Sequence, residues 1–194
     1  MSMREIEIKL KAKNLEEIES KLKEKGCTLS EPISQHDVIY SLKNSTEEFE
    51  SAKEGDVIIR IRHLKERAQL NLKQQCSSEM DNLEYETDVN DAKETHKILE
   101  TLGWHPVVEV KKIRRKGKLG EYEVCLDRVE KLGDFIELEK LTEDNADPEE
   151  VKEELFKQLE SLGFSRNDEE TGGYDTQIYQ LDTREVVQSS ALDI

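Results

Sequence analysis

Charged and apolar residues alternate with period two along much of this chain, and within most alternating runs the charges on one face share a sign. Period two is the spacing of a β-strand, whose successive side chains point to opposite faces. Glu5, Glu7 and Lys9 therefore lie opposite Ile6, Ile8 and Leu10, Arg60 and Arg62 opposite Ile59 and Ile61, and Asn71 and Lys73 opposite Leu70 and Leu72. Glu84 and Glu86 oppose Leu83 and Tyr85, Glu121, Glu123, Cys125 and Asp127 oppose Tyr122, Val124 and Leu126, and Glu137 and Glu139 oppose Ile136 and Leu138. An antiparallel sheet commonly shows its polar face to water. Here the sorting by sign and the near-continuous apolar faces favour a sheet curled with its charges inside and its apolar face outside, under helices.

The helices come from a repeated plan of Glu-x-Glu strand, polar turn, amphipathic helix and terminal Gly. Asn14, Asp91 and Asp147-Pro148 open the three helices, and Gly26, Gly103 and Gly163 end them, the expected N-cap, N1 and C′ residue types. Further alternating runs predict strands near 57–64, 69–74, 107–116 and 121–128, with others near 34–41 and 174–181. Eight or nine strands and three helices result. Many strands follow one another directly, so the class is α+β with a largely antiparallel sheet. Residues 42–56 read as an exposed excursion.

At 194 residues about 70% of the unfolded surface can be buried, and one domain is expected over residues 1–182 with 183–194 as a poorly ordered tail. Lys plus Arg number 29 against 45 Asp plus Glu, a net charge of −16. That balance argues against a general nucleic-acid or membrane-surface binder, both of which need surplus cations. The start, MSMREIEIKLK, is charged where a signal peptide would be apolar, so a cytoplasmic location is expected. Cys27, Cys76 and Cys125 lack CxxC spacing and read as reduced structural thiols, and the four histidines show no HxH or HExxH pattern.

Carboxylates crowded on one part of a lumen wall raise one another's pKa unless a cation neutralises them. With oxygen ligands on offer, Mg²⁺ or Mn²⁺ is the natural choice. Lys and Arg on the facing wall suit a multiply charged phosphate chain. Together these are equipment for phosphoryl or nucleotidyl transfer. GxxxxGK[ST] and GxGxxG are both absent, and Lys116-Gly117-Lys118-Leu119-Gly120 reads as a hairpin turn. In the basic run Lys111, Lys112, Arg114, Arg115, Lys116 and Lys118 both faces are charged, so period alone does not select the inward set.

Glu5-Ile6-Glu7-Ile8-Lys9 has the form ExExK, and it is followed in order by Ile59-Arg60-Ile61-Arg62, the Leu70 to Lys73 strand, Glu84-Tyr85-Glu86, Lys112-Ile113-Arg114 and LDRVEKLGDFIELE from Leu126 to Glu139. Over roughly residues 4 to 181 this ordered set resembles the CYTH superfamily, the triphosphate tunnel metalloenzymes that include class IV adenylyl cyclases, thiamine triphosphatases and inorganic triphosphatases. The last stretch is most similar to the class IV adenylyl cyclase branch. The resemblance implies an antiparallel tunnel of eight strands with helices outside. It further implies metal ligation by Glu5, Glu7, Asp127, Glu137 and Glu139, and triphosphate binding by Lys9, Arg60, Arg62, Lys73, Lys112 and Arg114. Glu86, with Glu84, would orient these cations or help a second metal. One departure concerns the Asp-x-Tyr of many members: this chain reads Asp37-Val38-Ile39-Tyr40, which puts Ile39 at the Tyr position and turns Tyr40 outward. Lys73 is left as local base or proton carrier, or as a clamp.

The resemblance implies an enzyme acting on ATP, inorganic triphosphate or thiamine triphosphate, as a monomer or homodimer. As a cyclase it would convert ATP to cyclic AMP and pyrophosphate, and as a triphosphatase it would direct water at the terminal phosphorus. A nucleotide- or polyphosphate-binding module without turnover is a third reading, with the missing Tyr in its favour.

Overall fold

A computed structural model describes residues 3–42, 53–143 and 145–192. Eight strands, β1 (Met3–Lys11), β2 (Ile33–Ser41), β3 (Val57–His63), β4 (Ala68–Ser78), β5 (Asp81–Val89), β6 (His105–Leu119), β7 (Tyr122–Val129) and β8 (Gly133–Glu143), close into one antiparallel barrel. Around the ring the order is β1, β5, β4, β3, β2, β6, β7, β8. Among the described residues four α-helices accompany them: α1 (Leu15–Glu24), α2 (Ala92–Thr101), α3 (Pro148–Glu160) and α4 (Tyr174–Leu192).

The punctuation legible in the sequence acts as expected. The Asn14 side chain accepts from the Glu17 amide at 3.1 Å, Asp91 from those of Lys93 and Glu94 at 2.9 and 3.0 Å, and Asp147 from that of Glu149 at 2.9 Å. Each satisfies amides that the first helical turn leaves without partners. The basic run is one long strand, and its hairpin to β7 turns on Gly120 and Glu121, with Leu119 facing Tyr122.

The barrel carries its main apolar layers outside. Ile6, Ile8, Leu10, Leu126, Ile136 and Leu138 of β1, β7 and β8 pack under Ile18 and Leu22 of α1 and Leu155 and Leu159 of α3. On the other side Tyr40, Ile59 and Ile61 pack under Leu99 of α2. Burial of each such side chain contributes about 1.5–3 kcal/mol, the driving force that keeps the charged face turned inward. Among the described residues no helix is long and apolar enough to cross a membrane.

One expectation needs revision. The strand expected over 174–181 is the first half of α4, whose Tyr174, Thr176 and Ile178 are buried. Alternation there reflects two kinds of neighbour, the barrel's end for Tyr174 and Thr176 and the β6 side for Ile178, rather than an extended backbone. The helix continues to Leu192, into the segment read as a tail. The excursion expected over 42–56 falls mostly outside the described residues.

Gly117 shows where the chain has no room for a side chain. A Cβ there would stand 2.8 Å from Cys27 Sγ and 2.9 Å from the Thr28 carbonyl oxygen, because the segment leaving α1 crosses β6 at this point. Backbone cannot move aside as a side-chain tip can. Gly117→Ala is expected to destabilise the protein by about 1–3 kcal/mol, read as a lowered denaturant midpoint at unchanged slope; an unchanged midpoint would show that the crossing is loose.

Candidate active site

Strand register decides which charges meet inside the barrel. Directly opposed inward pairs include Lys9 with Glu137, Asp37 with Arg62, Lys73 with Glu84 and Arg114 with Asp127, all of unlike sign. At one locus the register opposes like charges: Glu139 faces Glu7 of β1 on one side and Glu123 of β7 on the other. Like charges directly opposite are destabilising.

The cations are held by carboxylates. Arg62 Nε and Nη2 donate to the two Asp37 oxygens at 2.8 and 2.7 Å, and Arg60 Nη1 lies 3.5 Å from the same carboxylate. Lys73 pairs with Glu84. Arg114 Nε donates to Asp127 at 2.7 Å, its Nη2 donates to Glu137, and Lys112 Nζ stands 3.3 Å from Asp127. Lys116 pairs with Glu123. This pairing uses Asp37, Glu84, Asp127, Glu137 and Glu123, and leaves Glu5, Glu7 and Glu139, whose oxygens lie within 4.8 Å of one another. Among the described residues the one ion-pair contact of Glu139 is a long one, 3.6 Å, with Arg114.

The pKa directions follow this division. Burial, reinforced by Glu139 and Glu84, pushes Glu5 up to about 9. Burial and Glu137 raise Glu7. Burial also drives Glu139 up to about 8 with help from Glu7 and Glu137, against the pull of Arg114. Burial alone would raise Glu84 too, but Lys73 and Arg60 hold it down to about 2. Against the same burial, Arg60 and Arg62 hold Asp37 well below the carboxylate range, as Arg114 and Lys112 do Glu137. Lys73, although buried, is held well above the amine range by Glu84, Glu7 and Glu5.

A cavity of about 210 Å³ runs between the two sets. Glu5, Glu7, Glu137 and Glu139 line it together with Lys9, Arg60, Arg62, Lys73, Lys112 and Arg114. Every expected triphosphate-binding residue thus meets the same space. Of the five carboxylates implied as metal ligands, Glu5, Glu7 and Glu139 converge, Glu137 lines the cavity while held by Arg114, and Asp127 is fully buried with its oxygens on Arg114 and Lys112. Glu84 and Glu86 also line the cavity, Glu86 as acceptor of the Gln69 and Asn71 amides. The donor set of the leftover trio, three clustered carboxylates, suits a hard divalent cation.

Ile39 lines the cavity, while Tyr40 faces outward and shares a 2.8 Å hydrogen bond with His96 Nδ1 of α2. Cys125 Sγ lies 3.5 Å from Glu139 Oε1, and burial raises its thiol far above the usual range against the pull of Arg114, consistent with an unreactive structural thiol. Sequence reasoning passed over Asp37 as a site residue, although its parity with Ile39 was enough to place it inside. It also missed Lys116, because the imperfect alternation of the basic run hid its direction. Nothing local marked Tyr174, which α4 brings to the cavity from beyond the barrel strands.

A profile of the CYTH domain matches residues 3–174. The chain belongs to the CYTH domain family. It is 28% identical over 167 residues to a Methanocaldococcus jannaschii protein named as a candidate adenylate cyclase, an alignment covering 85% of this chain and 93% of that one. A Pyrococcus horikoshii protein of solved structure superposes with a TM-score of 0.74 at 26% identity, covering 91% of this chain and 98% of that one. A Hippeastrum protein, titled a candidate adenylyl cyclase with a dominant triphosphatase activity, shares the fold with a TM-score of 0.61 at 16% identity, over 94% of this chain and 96% of that one.

The pKa pattern of this CYTH barrel has a consequence for stability. In metal-free protein Glu5 and Glu139 keep protons up to about pH 9 and 8, whereas their ordinary value is 4.5. Between those limits the folded state binds more protons than the unfolded state, so stability falls as pH rises. Asp37, Glu84 and Glu137, held down, already contribute fully above their unfolded values and add no slope. Thermal unfolding in a chelator is expected to show Tm declining from pH 5 to pH 9; a flat or rising profile would remove the protonated trio.

Proposed function

We propose that this chain is a divalent-metal-dependent enzyme that acts on a triphosphate inside the barrel, and that it converts ATP to cyclic AMP and pyrophosphate. The observation that carries the reading is the leftover trio. Cross-strand pairing compensates the other inward charges named above, yet Glu7, Glu139 and Glu5 converge with no close ion pair among the described residues, answered only at longer range by Lys73, Lys9, Lys116 and Arg114. Mg²⁺ or Mn²⁺ held there would neutralise the trio and polarise a phosphate oxygen. The adenylate cyclase name of the Methanocaldococcus jannaschii relative supports the cyclase reading.

In that reaction the ribose 3′ oxygen forms a bond to the α-phosphorus, the bond from that phosphorus to the bridging oxygen breaks, and charge builds on the departing pyrophosphate. Arg60, Arg62, Lys112 and Arg114 present donors to that charge from positions already fixed by Asp37, Asp127 and Glu137, so little reorganisation is required. Lys73, its proton held by three carboxylates, serves as a cationic clamp and not as the base. A proton from the 3′ hydroxyl has acceptors in the carboxylates opposite.

A second reading, hydrolysis of a compact triphosphate, has one observation of its own. The cavity of about 210 Å³ is smaller than the roughly 300–1,000 Å³ usual for larger organic ligands. The Hippeastrum protein's title attributes a dominant triphosphatase activity to that protein on the same fold.

Incubation with ATP, and separately with inorganic triphosphate, in Mg²⁺ or Mn²⁺ separates the two once cyclic AMP, pyrophosphate and phosphate are resolved by chromatography. Cyclic AMP with equimolar pyrophosphate is the expected result; phosphate released fastest from inorganic triphosphate would make the enzyme a triphosphatase. Under either chemistry Glu139→Gln is expected to lower metal-dependent turnover about 100-fold or more. The same change should abolish the stabilisation expected for wild type in saturating metal, about 2.7 kcal/mol at a hundred times Kd and read as a rise in Tm. Full turnover in that variant would show that the trio holds no metal.

A further inference from the structure

Two cations of the cavity, Lys9 and Lys112, share a neighbour that belongs to no strand. The ring of Tyr174 fills the space between them, its centroid 4.3 Å from one ammonium and 4.8 Å from the other. It stands edge-on to Phe135, centroids 5.0 Å apart, packs with Ile39, Val110 and Ile178, and its hydroxyl donates to Glu137. The electron-rich face of a ring answers ammonium charge, but more weakly than a phosphate oxygen does. The first turn of α4 therefore stands where an anion bridging Lys9 and Lys112 has to sit, and it engages a carboxylate that lines the same cavity.

The contacts that hold this turn are made to groups of the cavity itself. Lys9 Nζ donates to the Gly172 carbonyl, Glu137 accepts from Tyr174, and one oxygen of Glu79 accepts from the Gly173 amide and the Thr176 hydroxyl at 2.7 and 3.1 Å. Glu79 lines the cavity as well. The strap just before the turn is anchored differently. Glu169 forms a bridge with Leu10, and the Glu170 amide donates to the Lys9 carbonyl at 2.9 Å, backbone contacts for which a ligand in the cavity does not compete. Between the two sets lie Gly172 and Gly173. Two adjacent residues without side chains give the backbone its widest freedom, and such positions absorb the dihedral change of a moving segment.

We propose that the first turn of α4 is an autoinhibitory plug: Tyr174 occupies the place of a phosphate group between Lys9 and Lys112, and a triphosphate that takes both lysines expels the turn about Gly172 and Gly173. The inference rests on the triphosphate reading of the tunnel and adds a regulation of that site. A ligand shifts an equilibrium between two states only through contacts it makes better in one of them. Here those contacts are Lys9 and Lys112, which the ring covers when the plug is in place. Triphosphate affinity is lowered by the fraction of molecules still plugged, and the volume of about 210 Å³ is that of the plugged cavity.

Amide hydrogen exchange of the full chain in Mg²⁺, with and without imidotriphosphate, whose bridging nitrogens resist hydrolysis, tests it. Amides of residues 174–182 are expected to exchange about tenfold faster with the analogue bound, the reverse of the slowing that a ligand ordinarily brings to its surroundings. Unchanged or slower exchange there, in protein that binds the analogue, would overturn the inference alone. Failure of folded wild type to bind it would remove the reading of the tunnel, and this inference with it. Calorimetric titration of the same analogue into two variants gives a second measurement. Glu79→Gln removes the charge but keeps an acceptor for Gly173 and Thr176, whereas Glu79→Ala removes both. Glu79→Ala is therefore expected to bind about fivefold more tightly than Glu79→Gln; equal or weaker binding by the folded alanine variant would overturn the plug. Should that variant not fold, the exchange measurement on wild type decides.

Discussion

The structure depends on compensating charges in a space that water only partly reaches. Arg114 is 6% exposed and Asp127 fully buried; either alone would carry a desolvation cost of several kcal/mol. Bidentate geometry and the additional Glu137 contact offset that cost, and they also lock Arg114 in position. The same holds for Asp37 between Arg60 and Arg62, and for Lys73 against Glu84. Compensation of this kind is registry-sensitive. A slip of one residue along any strand would turn its charges toward the helices and its aliphatic side chains into the tunnel.

That register is held from outside. The inner wall contributes specificity of position, while most of the apolar burial lies between the outer wall and the helices. The usual arrangement of a small barrel, with an apolar filling, is therefore reversed, and the space left inside is polar and usable. An apolar patch that enters the interior, around Ile39, Val110, Phe135 and Tyr174, sits where α4 meets the end of the barrel. Polar donors from the wall and a buried phenol from the helix consequently share one cavity.

Much of this was legible from residue order because strand side chains have only two directions. Once Ile59 and Ile61 are outside, Arg60 and Arg62 are inside, and the same parity holds for Glu5, Glu7 and Lys9 and for Glu137 and Glu139. Parity was ambiguous in the basic run, where Lys111, Lys112, Arg114 and Arg115 charge both faces. Pairing of β6 with β2 and β7 resolves it, since Lys112 faces Gln35 and Arg114 faces Asp127. Asp37 could have been placed by parity with Ile39, but its role as the counter-charge of two arginines required knowing that β2 lies beside β3.

Helix punctuation, the alternation and the ordered charged motifs determined the barrel class, the inward faces and the family, because each is a local property of spacing along the chain. Which charges oppose which could not be read in that way. The like-charged meeting of Glu7 with Glu139, and the arrival of Tyr174 beside Lys9, join segments separated by more than a hundred residues. Register and closure of the ring set those contacts, and both minimise free energy over the whole molecule rather than over any one segment.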